Sequence, residues 1–396
     1  LAAALAATLF GAQQRQQQPA QCEEVHVHTP HYKDRKVEAA AAGGDTYFSS
    51  DYDYLKVISG SSNRKLAKEI ADLLGVGLGD CELGRYADGE ISINLGEQVR
   101  GKDVYVMQSG QRPVNDHLME LLLLVSTVQR ASAKRVTAVI PYFPYKHHRR
   151  GVPISTGLNS RFLLSAAADF GHCLEVMGVD RIIAVDLERP GSSNESNFFS
   201  PGVPVETLLT TNLFAHHIAR AAFPPAHGGD ILVVSPSSAL MKKSVGFATV
   251  LARALPNADV RVTTFVHSTA RAGPVDISTN ELIASGDVRG RDVVLVDELI
   301  DTGGTLATLA RKLKEMGARD IYVYSSHALF NNDCLELLER APITRVYVSN
   351  TIEHDPAAVA ASSKVEVVSI GPQLAKLIYA EHVRSADIFK EEMTFG

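Results

Sequence analysis

From about residue 54 onward, short β-branched runs alternate with stretches whose apolar positions recur every three to four residues. The runs are DVYVMQS (103–109), RVTAVIPYF (135–143), RIIAVDL (181–187), ILVVSP (231–236) and VRVTTF (260–265). Four more follow: DVVLVD (292–297), IYVYSSH (321–327), RVYVSN (345–350) and VEVVSI (365–370). Near-continuous apolar runs of this length predict parallel strands buried on both faces. Helices are predicted over 63–75, 115–133, 238–255 and 304–318. In the last of these, Leu306, Leu309, Ala310, Leu313 and Met316 share one face, and Gly317 supplies a stop. Strand–helix alternation over this length predicts an α/β protein of two domains, each a parallel sheet covered by helices. The stretch FFSPGVPVETL (198–208), with two prolines and a turn signal, sets the domain boundary near 205, giving domains at 54–204 and 205–370.

The composition suits a soluble globular protein: 45% hydrophobic, 21% charged and without Trp. A net charge of −6 leaves no basic excess for a nucleic-acid backbone. No apolar run reaches membrane-spanning length. Cys22, Cys81, Cys173 and Cys334 lie far apart with no CxxC, which fits incidental thiols in a reducing compartment better than a disulfide framework or zinc site. Residues 1–53, rich in Ala and Gln near the start, read as a disordered extension or a transit-like segment. A cytoplasmic location is expected, with an organelle as the alternative. His26, His28 and His31 in that segment read as solvated.

VVLVDELIDTGGT (293–305) holds the densest chemistry. Ligands of open parallel sheets sit beyond the carboxyl ends of the strands. Thr302, Gly303, Gly304 and Thr305 open a helix there, and glycines let its free N–H groups face an anion. No Gly-Lys-Ser/Thr follows, which excludes a Walker-type loop. Asp297, Glu298 and Asp301 crowd the same turn, where like charge repels a phosphate. Asp297 and Glu298 make sense as acceptors for sugar hydroxyls or for a Mg²⁺ shell. Ribose 5-phosphate, with phosphate at one end and a diol at the other, satisfies both halves.

This loop resembles the ribose-phosphate-binding loop of phosphoribosyltransferases and of phosphoribosyl pyrophosphate synthase (ribose-phosphate diphosphokinase). The likeness to the latter family extends from about residue 57 to the end, through SGSSNRKLAKEIADLLG, GRYADGEISINLGEQVRGKDVYVMQSG, NDHLMELLLLVSTVQRASAKRVTAVIPYFPY and GDVRGRDVVLVDELIDTGGTL. It implies two type I phosphoribosyltransferase-like domains, with the C-terminal segment (371–396) packing back on the first. It also implies transfer of the diphosphoryl group of ATP to the anomeric hydroxyl of ribose 5-phosphate, with Mg²⁺, in nucleotide biosynthesis. Residues 301–305 are then expected to hold the 5-phosphate, with Asp297 and Glu298 facing the ribose hydroxyls. Tyr86, Asp88 and Glu90 of RYADGE are expected near adenine of a neighbouring subunit, in a homo- or hetero-oligomer with paralogous chains.

The chain departs from the family on the ATP-phosphate side. The motif Asp-Leu-His appears as Asp186-Leu187-Glu188, leaving Glu188 as the candidate metal and catalytic group. A metal-associated Asp after Ser-Pro is replaced by Ser237, and the following Gly pair is absent. An ATP-binding Arg-Gln pair appears as His147-His148. In the catalytic loop, Phe265 and His267 stand near the expected Lys and Arg, so that Arg271 is the remaining strong cation. Loss of one positioned charge stabiliser commonly costs about 3–4 kcal/mol of barrier. The expectation is an intact ribose half and an eroded ATP-phosphate half, in a chain with weak turnover alone. The alternatives are a non-catalytic regulatory subunit assembling with an active paralogue and, more distantly, a phosphoribosyltransferase.

Overall fold

A computed structural model describes residues 54–145, 166–187, 202–223, 229–266, 281–283 and 288–383. All lie in one compact unit, Ala41–Gly396. The first sheet runs β1 (Leu55–Ser59), β4 (Asp103–Met107), β5 (Arg135–Ile140), β6 (Arg181–Val185), β7 (Val205–Leu208), all parallel. Between β1 and β4 the chain makes an antiparallel hairpin of β2 (Cys81–Arg85) and β3 (Ile91–Leu95).

Alternate residues of each strand face opposite layers. Leu55, Val57, Tyr105, Met107, Ile183 and Val185 pack under helix α1 (Arg64–Leu73), while Val104, Val106, Val136, Ala138 and Ile182 pack under α2 (Val114–Arg130) and α3 (Ala166–Val176). Asn63 caps α1, its side-chain oxygen accepting from the Leu66 amide at 3.2 Å.

The second sheet has the order β10 (Glu281–Ile283), β9 (Asp259–Val266), β8 (Asp230–Ser235), β11 (Asp292–Ile300), β12 (Ile321–Ala328), β13 (Arg345–Ser349), β14 (Val365–Val368). Only the β9–β10 pair in it is antiparallel. Helices α4 (Thr211–Ala222) and α5 (Met241–Ala254) cover one face through Phe214, Ile218, Phe247 and Leu251. Helices α6 (Gly304–Glu315) and α7 (Cys334–Arg340) cover the other through Leu306, Leu309, Leu313 and Leu338.

Every predicted strand is present. Some boundaries differ. β7 pairs with β6, so the change of sheet falls between Leu208 and Asp230 rather than near 205: the proline-bearing turn introduces a last edge strand of the first sheet. The helix expected from residue 238 opens as a short 3-10 turn over Ser238–Leu240, and α5 begins at Met241. Met316 is not on the buried stripe of α6; it caps that helix, partly exposed, before Gly317 at φ 93°. After the short helix α8 (Pro356–Ala360) and β14, helix α9 (Gly371–Val383) crosses back to the first sheet. Its Leu374, Ala375, Leu377 and Ile378 join the core beneath α1. Asp103 receives Arg135 and the ring of His382, 2.8 Å away, which fastens the end of α9 to β4 and β5.

No helix among the described residues is long and apolar enough to cross a membrane. Cys81 and Cys334 are buried free thiols and Cys173 is exposed.

Candidate functional site

β11 delivers its last residues to the carboxyl edge of the second sheet, where the chain turns into α6. The Asp297 carboxylate is buried and accepts from the amide of Glu298 at 2.7 Å; Glu298 itself is half-buried. Gly303 takes a left-handed φ of 74°, and a Cβ there meets the Cys334 Sγ at 2.8 Å, so only glycine fits without displacement. Gly304 differs: the nearest atom to its Cβ position is Thr302 Oγ1 at 3.9 Å, which leaves open space.

No side chain caps α6. The first-turn amides of Gly304, Thr305 and Leu306 have no carbonyl to bond within the helix, so they point into that space with the positive end of the helix dipole behind them. Thr302 and Thr305 are exposed around it. Asp301 turns away from this cradle. Its carboxylate accepts from Asn331 Nδ2 at 2.6 Å, and its carbonyl from the Asn331 amide at 3.0 Å. Three acids and an anion cradle therefore occupy one turn without confronting each other, because two of the carboxylates are already bonded to donors.

Two residues that sequence reasoning did not single out shape the local field. Burial, then the charges of Asp301 and Glu298, push the Tyr142 hydroxyl of the first lobe up to about 12, so it stays a neutral donor. Burial alone lowers the Lys243 ammonium of α5. The charge of Asp186, followed by Tyr324, Glu298 and Asp297, leaves it above its usual range. Lys243 Nζ lies 3.4 Å from Asp186 Oδ2 and donates to Ser326 Oγ.

Asp186 follows β6 with φ 47° and is buried. It accepts from the Thr210 amide at 3.2 Å and from the hydroxyls of Thr210 and Ser326. Burial by itself raises its carboxyl; Lys243 and these donors reverse that and hold it below the usual carboxylate range. This network joins the end of the first sheet to α5 and β12 of the second. A signal for it was present in the sequence: Lys243 stands four positions before the buried Phe247, hence on the inner face of α5.

Tyr86, Asp88 and Glu90 stand apart from the β11 loop, in the turn of the β2–β3 hairpin. All three are exposed, and Gly89 carries φ 94°. The Glu90 amide donates to Asp88 Oδ1 at 3.1 Å, and Arg85 ties the hairpin to Asp116 of α2 at 3.2 Å. An exposed aromatic ring on a braced tip is a surface suited to stacking. Phe265, the last residue of the predicted run VRVTTF and also expected near a covering loop, is fully buried in β9 and belongs to the core of the second sheet. Where a family Asp stands after Ser-Pro, the Ser237 carbonyl accepts from Ser235 Oγ at 2.6 Å, and the chain enters the 3-10 turn. His147, His148, Glu188 and Arg271 lie outside the described residues. Among the described residues no group of three or more His, Cys, Asp or Glu side chains is arranged to hold a metal.

Comparison with known proteins follows the same line. Residues 55–166 match the model of the N-terminal domain of ribose phosphate pyrophosphokinase, and residues 263–394 that of the phosphoribosyl synthetase-associated domain. The ribose-phosphate pyrophosphokinase of Clostridium tetani is 34% identical over 324 residues, covering 82% of this chain and 93% of its own. That of Vibrio parahaemolyticus is 35% identical over 327 residues, covering 82% and 95%. The crystal structure of phosphoribosylpyrophosphate synthetase from Mycobacterium smegmatis superposes with a TM-score of 0.69 at 28% identity, across 84% of this chain and 99% of that one. The two-lobed α/β fold is thus of the type I phosphoribosyltransferase-like kind. Two matched domains, relatives of one third identity spanning nearly their whole length and a shared fold carry one conclusion: the chain belongs to the ribose-phosphate pyrophosphokinase family.

Proposed function

We propose that the chain binds ribose 5-phosphate at the β11–α6 turn and transfers to it the diphosphoryl group of ATP, slowly when alone. The observation that carries the sugar half is the uncapped start of α6, opened at Gly304, beside the acceptors Asp297 and Glu298. The 5-phosphate takes the amides of Gly304, Thr305 and Leu306 and the hydroxyls of Thr302 and Thr305. The vicinal hydroxyls of the ribose donate to Asp297 and Glu298. In the reaction the anomeric oxygen forms a bond to the β-phosphorus as the bond to the α-phosphate oxygen breaks, releasing AMP and the hydroxyl proton.

Such transfer depends on positioning and on cations that offset charge on the migrating group. Magnesium is commonly held by one or two carboxylates together with substrate phosphates. The adjacent Asp297 and Glu298, and Glu188 beyond the described residues, fit that donor set. When bound, the ion neutralises charge on the nucleotide phosphates.

Slow turnover is supported by Lys243, a buried cation already paired to Asp186, and by Ser237 in place of a carboxylate. The exposed Tyr86, with Asp88 and Glu90, is suited to adenine of a neighbouring copy or a paralogue.

The test is calorimetric titration of ribose 5-phosphate into wild type, Gly304→Val and Asp301→Asn, with circular dichroism on each. A Cβ at Gly304 meets nothing nearer than Thr302 Oγ1 at 3.9 Å, so the backbone admits a side chain that fills the cradle, and circular dichroism verifies that the Gly304→Val fold persists. Asp301 is engaged by Asn331 and makes no contact in the proposed site, so Asp301→Asn is a control that keeps binding, and binding that also survives in Gly304→Val refutes the assignment. A Mg²⁺, ATP and ribose 5-phosphate assay, alone and with an active paralogue, then separates slow catalysis from a regulatory subunit, which alters rate only in the mixture.

A further inference from the structure

Near the β11 loop, but sharing none of its residues, lies a cavity of about 230 Å³ between the turn after β4 and those after β12 and β13. Leu335 and Val359 form its apolar wall, and the rings of Phe330 and His354 meet at 5.0 Å and 45°. Three features distinguish it from a packing defect. First, the His354 Nε2 is buried without a hydrogen-bond partner, a costly condition that a ligand relieves. Burial pushes this imidazole down to about 4, against a weaker upward pull from Glu353, so the ring is neutral near pH 7.

Second, the charges around the cavity are unequal. Glu353 is engaged by Lys65 at 2.7 Å, and Asp355 accepts from the Ala357 amide at 2.9 Å. Arg112, exposed at the mouth, has no ion pair or hydrogen bond among the described residues. The uncommitted charge is positive.

Third, the cavity is wired to the candidate loop. Asn331, on its wall, holds Asp301 through both its amide and its side chain, at 3.0 and 2.6 Å. Its neighbours Phe330 and Asn332 have left-handed φ values of 48° and 55°, a sparsely populated region of backbone space.

We propose that this cavity is a second ligand site, taking a small planar organic anion (an aromatic ring bearing a carboxylate or phosphate), and that its occupancy alters the β11 loop through Asn331. The anionic group meets Arg112, the ring lies against Phe330 and Leu335, and a polar edge reaches His354. At roughly 30 Å³ per water the space equals about eight waters, the bulk of one substituted ring. The binding claim stands independently; the coupling claim rests on the proposed ribose 5-phosphate site.

The experiment uses the full chain and calorimetry, with benzoate and phenyl phosphate as probes of the two anionic groups, and benzyl alcohol and inorganic phosphate as controls. One probe binds at one site per chain in wild type and in Gly304→Val, and weakens about tenfold or more in Arg112→Gln and His354→Leu. Arg112 is exposed, so its variant keeps the wild-type melting temperature. Absence of binding by both probes, or binding unchanged in Arg112→Gln, overturns the site. For coupling, the saturating probe shifts ribose 5-phosphate affinity about fivefold or more in wild type and not in Asn331→Ala. An equal affinity with and without the probe overturns the coupling. A chain that binds the probe but never ribose 5-phosphate overturns the coupling together with the proposed function, and leaves the cavity site standing.

Discussion

Replacing Lys243 by Met keeps the length of the side chain and removes its charge. Its partner Asp186 remains, with side-chain exposures of 15% and 6% for Lys243 and Asp186 in the intact pair. Breaking a buried pair from one side commonly costs about 3–5 kcal/mol, because the other charge stays buried without its counter-ion. Three donors still reach Asp186: the Thr210 amide, the Thr210 hydroxyl and the Ser326 hydroxyl. The loss therefore belongs at the low end, about 3 kcal/mol. For a protein of 396 residues, at about 2.1 cal/mol/K of unfolding entropy per residue, that is a fall in Tm of about 4 °C.

The pH dependence carries the sign. In the wild type Asp186 is depressed, so its contribution is present above the unfolded carboxylate value and is lost as pH falls through the folded one. In Lys243→Met, burial is no longer opposed by the ammonium, the carboxyl moves upward, and protonation relieves the unpaired charge. The stability gap between the two proteins is therefore widest at neutral pH and narrows as pH falls, first through the raised carboxyl of the variant and then through the depressed one of the wild type. Urea titrations at pH 7 and in acid measure it. Asp186→Asn in the same background then recovers most of the loss, since an amide is neutral and Asn tolerates the left-handed φ of 47°. A Lys243→Met protein within about 0.5 kcal/mol of wild type at pH 7, or a double variant no better than the single, refutes the account.

Asp103→Asn loosens the anchor of α9 by about 2–3 kcal/mol at pH 7, since it accepts from Arg135 and lies 2.8 Å from the His382 ring. Burial raises Asp103 and its bonds to His382 and Arg135 outweigh that, so its folded value is depressed and the difference in urea midpoint disappears as pH falls through it. Gly303→Ala combines left-handed strain with a 2.8 Å approach to Cys334 Sγ and costs about 2–4 kcal/mol. Adding Cys334→Ala recovers part of that cost in the same melt, and a Gly303→Ala protein of wild-type Tm contradicts the geometry. Iodoacetamide at pH 8 labels the exposed Cys173 in the native protein and spares Cys81 and Cys334, whose thiols burial pushes up to about 11 and about 12. Peptide mass spectrometry checks this, and native labelling of Cys334 contradicts it.

Long apolar runs made most of the sheets legible, because a strand buried on both faces leaves an unbroken mark. LKVIS of β1 and VETL of β7 escaped, being too short and too polar to separate from turns. The β2–β3 hairpin escaped because its strands are partly exposed and carry mixed residues. The β11 loop was legible for a different reason. Its carboxylates and glycines occupy one contiguous turn, so local order alone brings them together. Lys243 and Asp186 are 57 residues apart and meet only when the lobes close on each other. Asn331, 30 residues beyond Asp301, is hidden in the same way. Periodicity reports which face a residue occupies; it carries no record of which distant partner waits there.

That difference bears on the proposed binding of a phosphate at an acidic turn. Asp297, Glu298 and Asp301 alone make the mouth of α6 repulsive to an anion. The tertiary structure spreads that charge away from the cradle: Asp301 is held back by Asn331, Asp297 accepts the next amide, and Lys243 lies behind both Asp297 and Glu298 within reach of their field. Lys243 pays for this by being committed to Asp186, so its charge is consumed in offsetting acids and joining lobes. In the proposed transfer, Lys243 is therefore not a free cation for the diphosphoryl group. On the proposed function, charge repair on the sugar side and charge shortage on the nucleotide side both follow from one lysine having one charge to share.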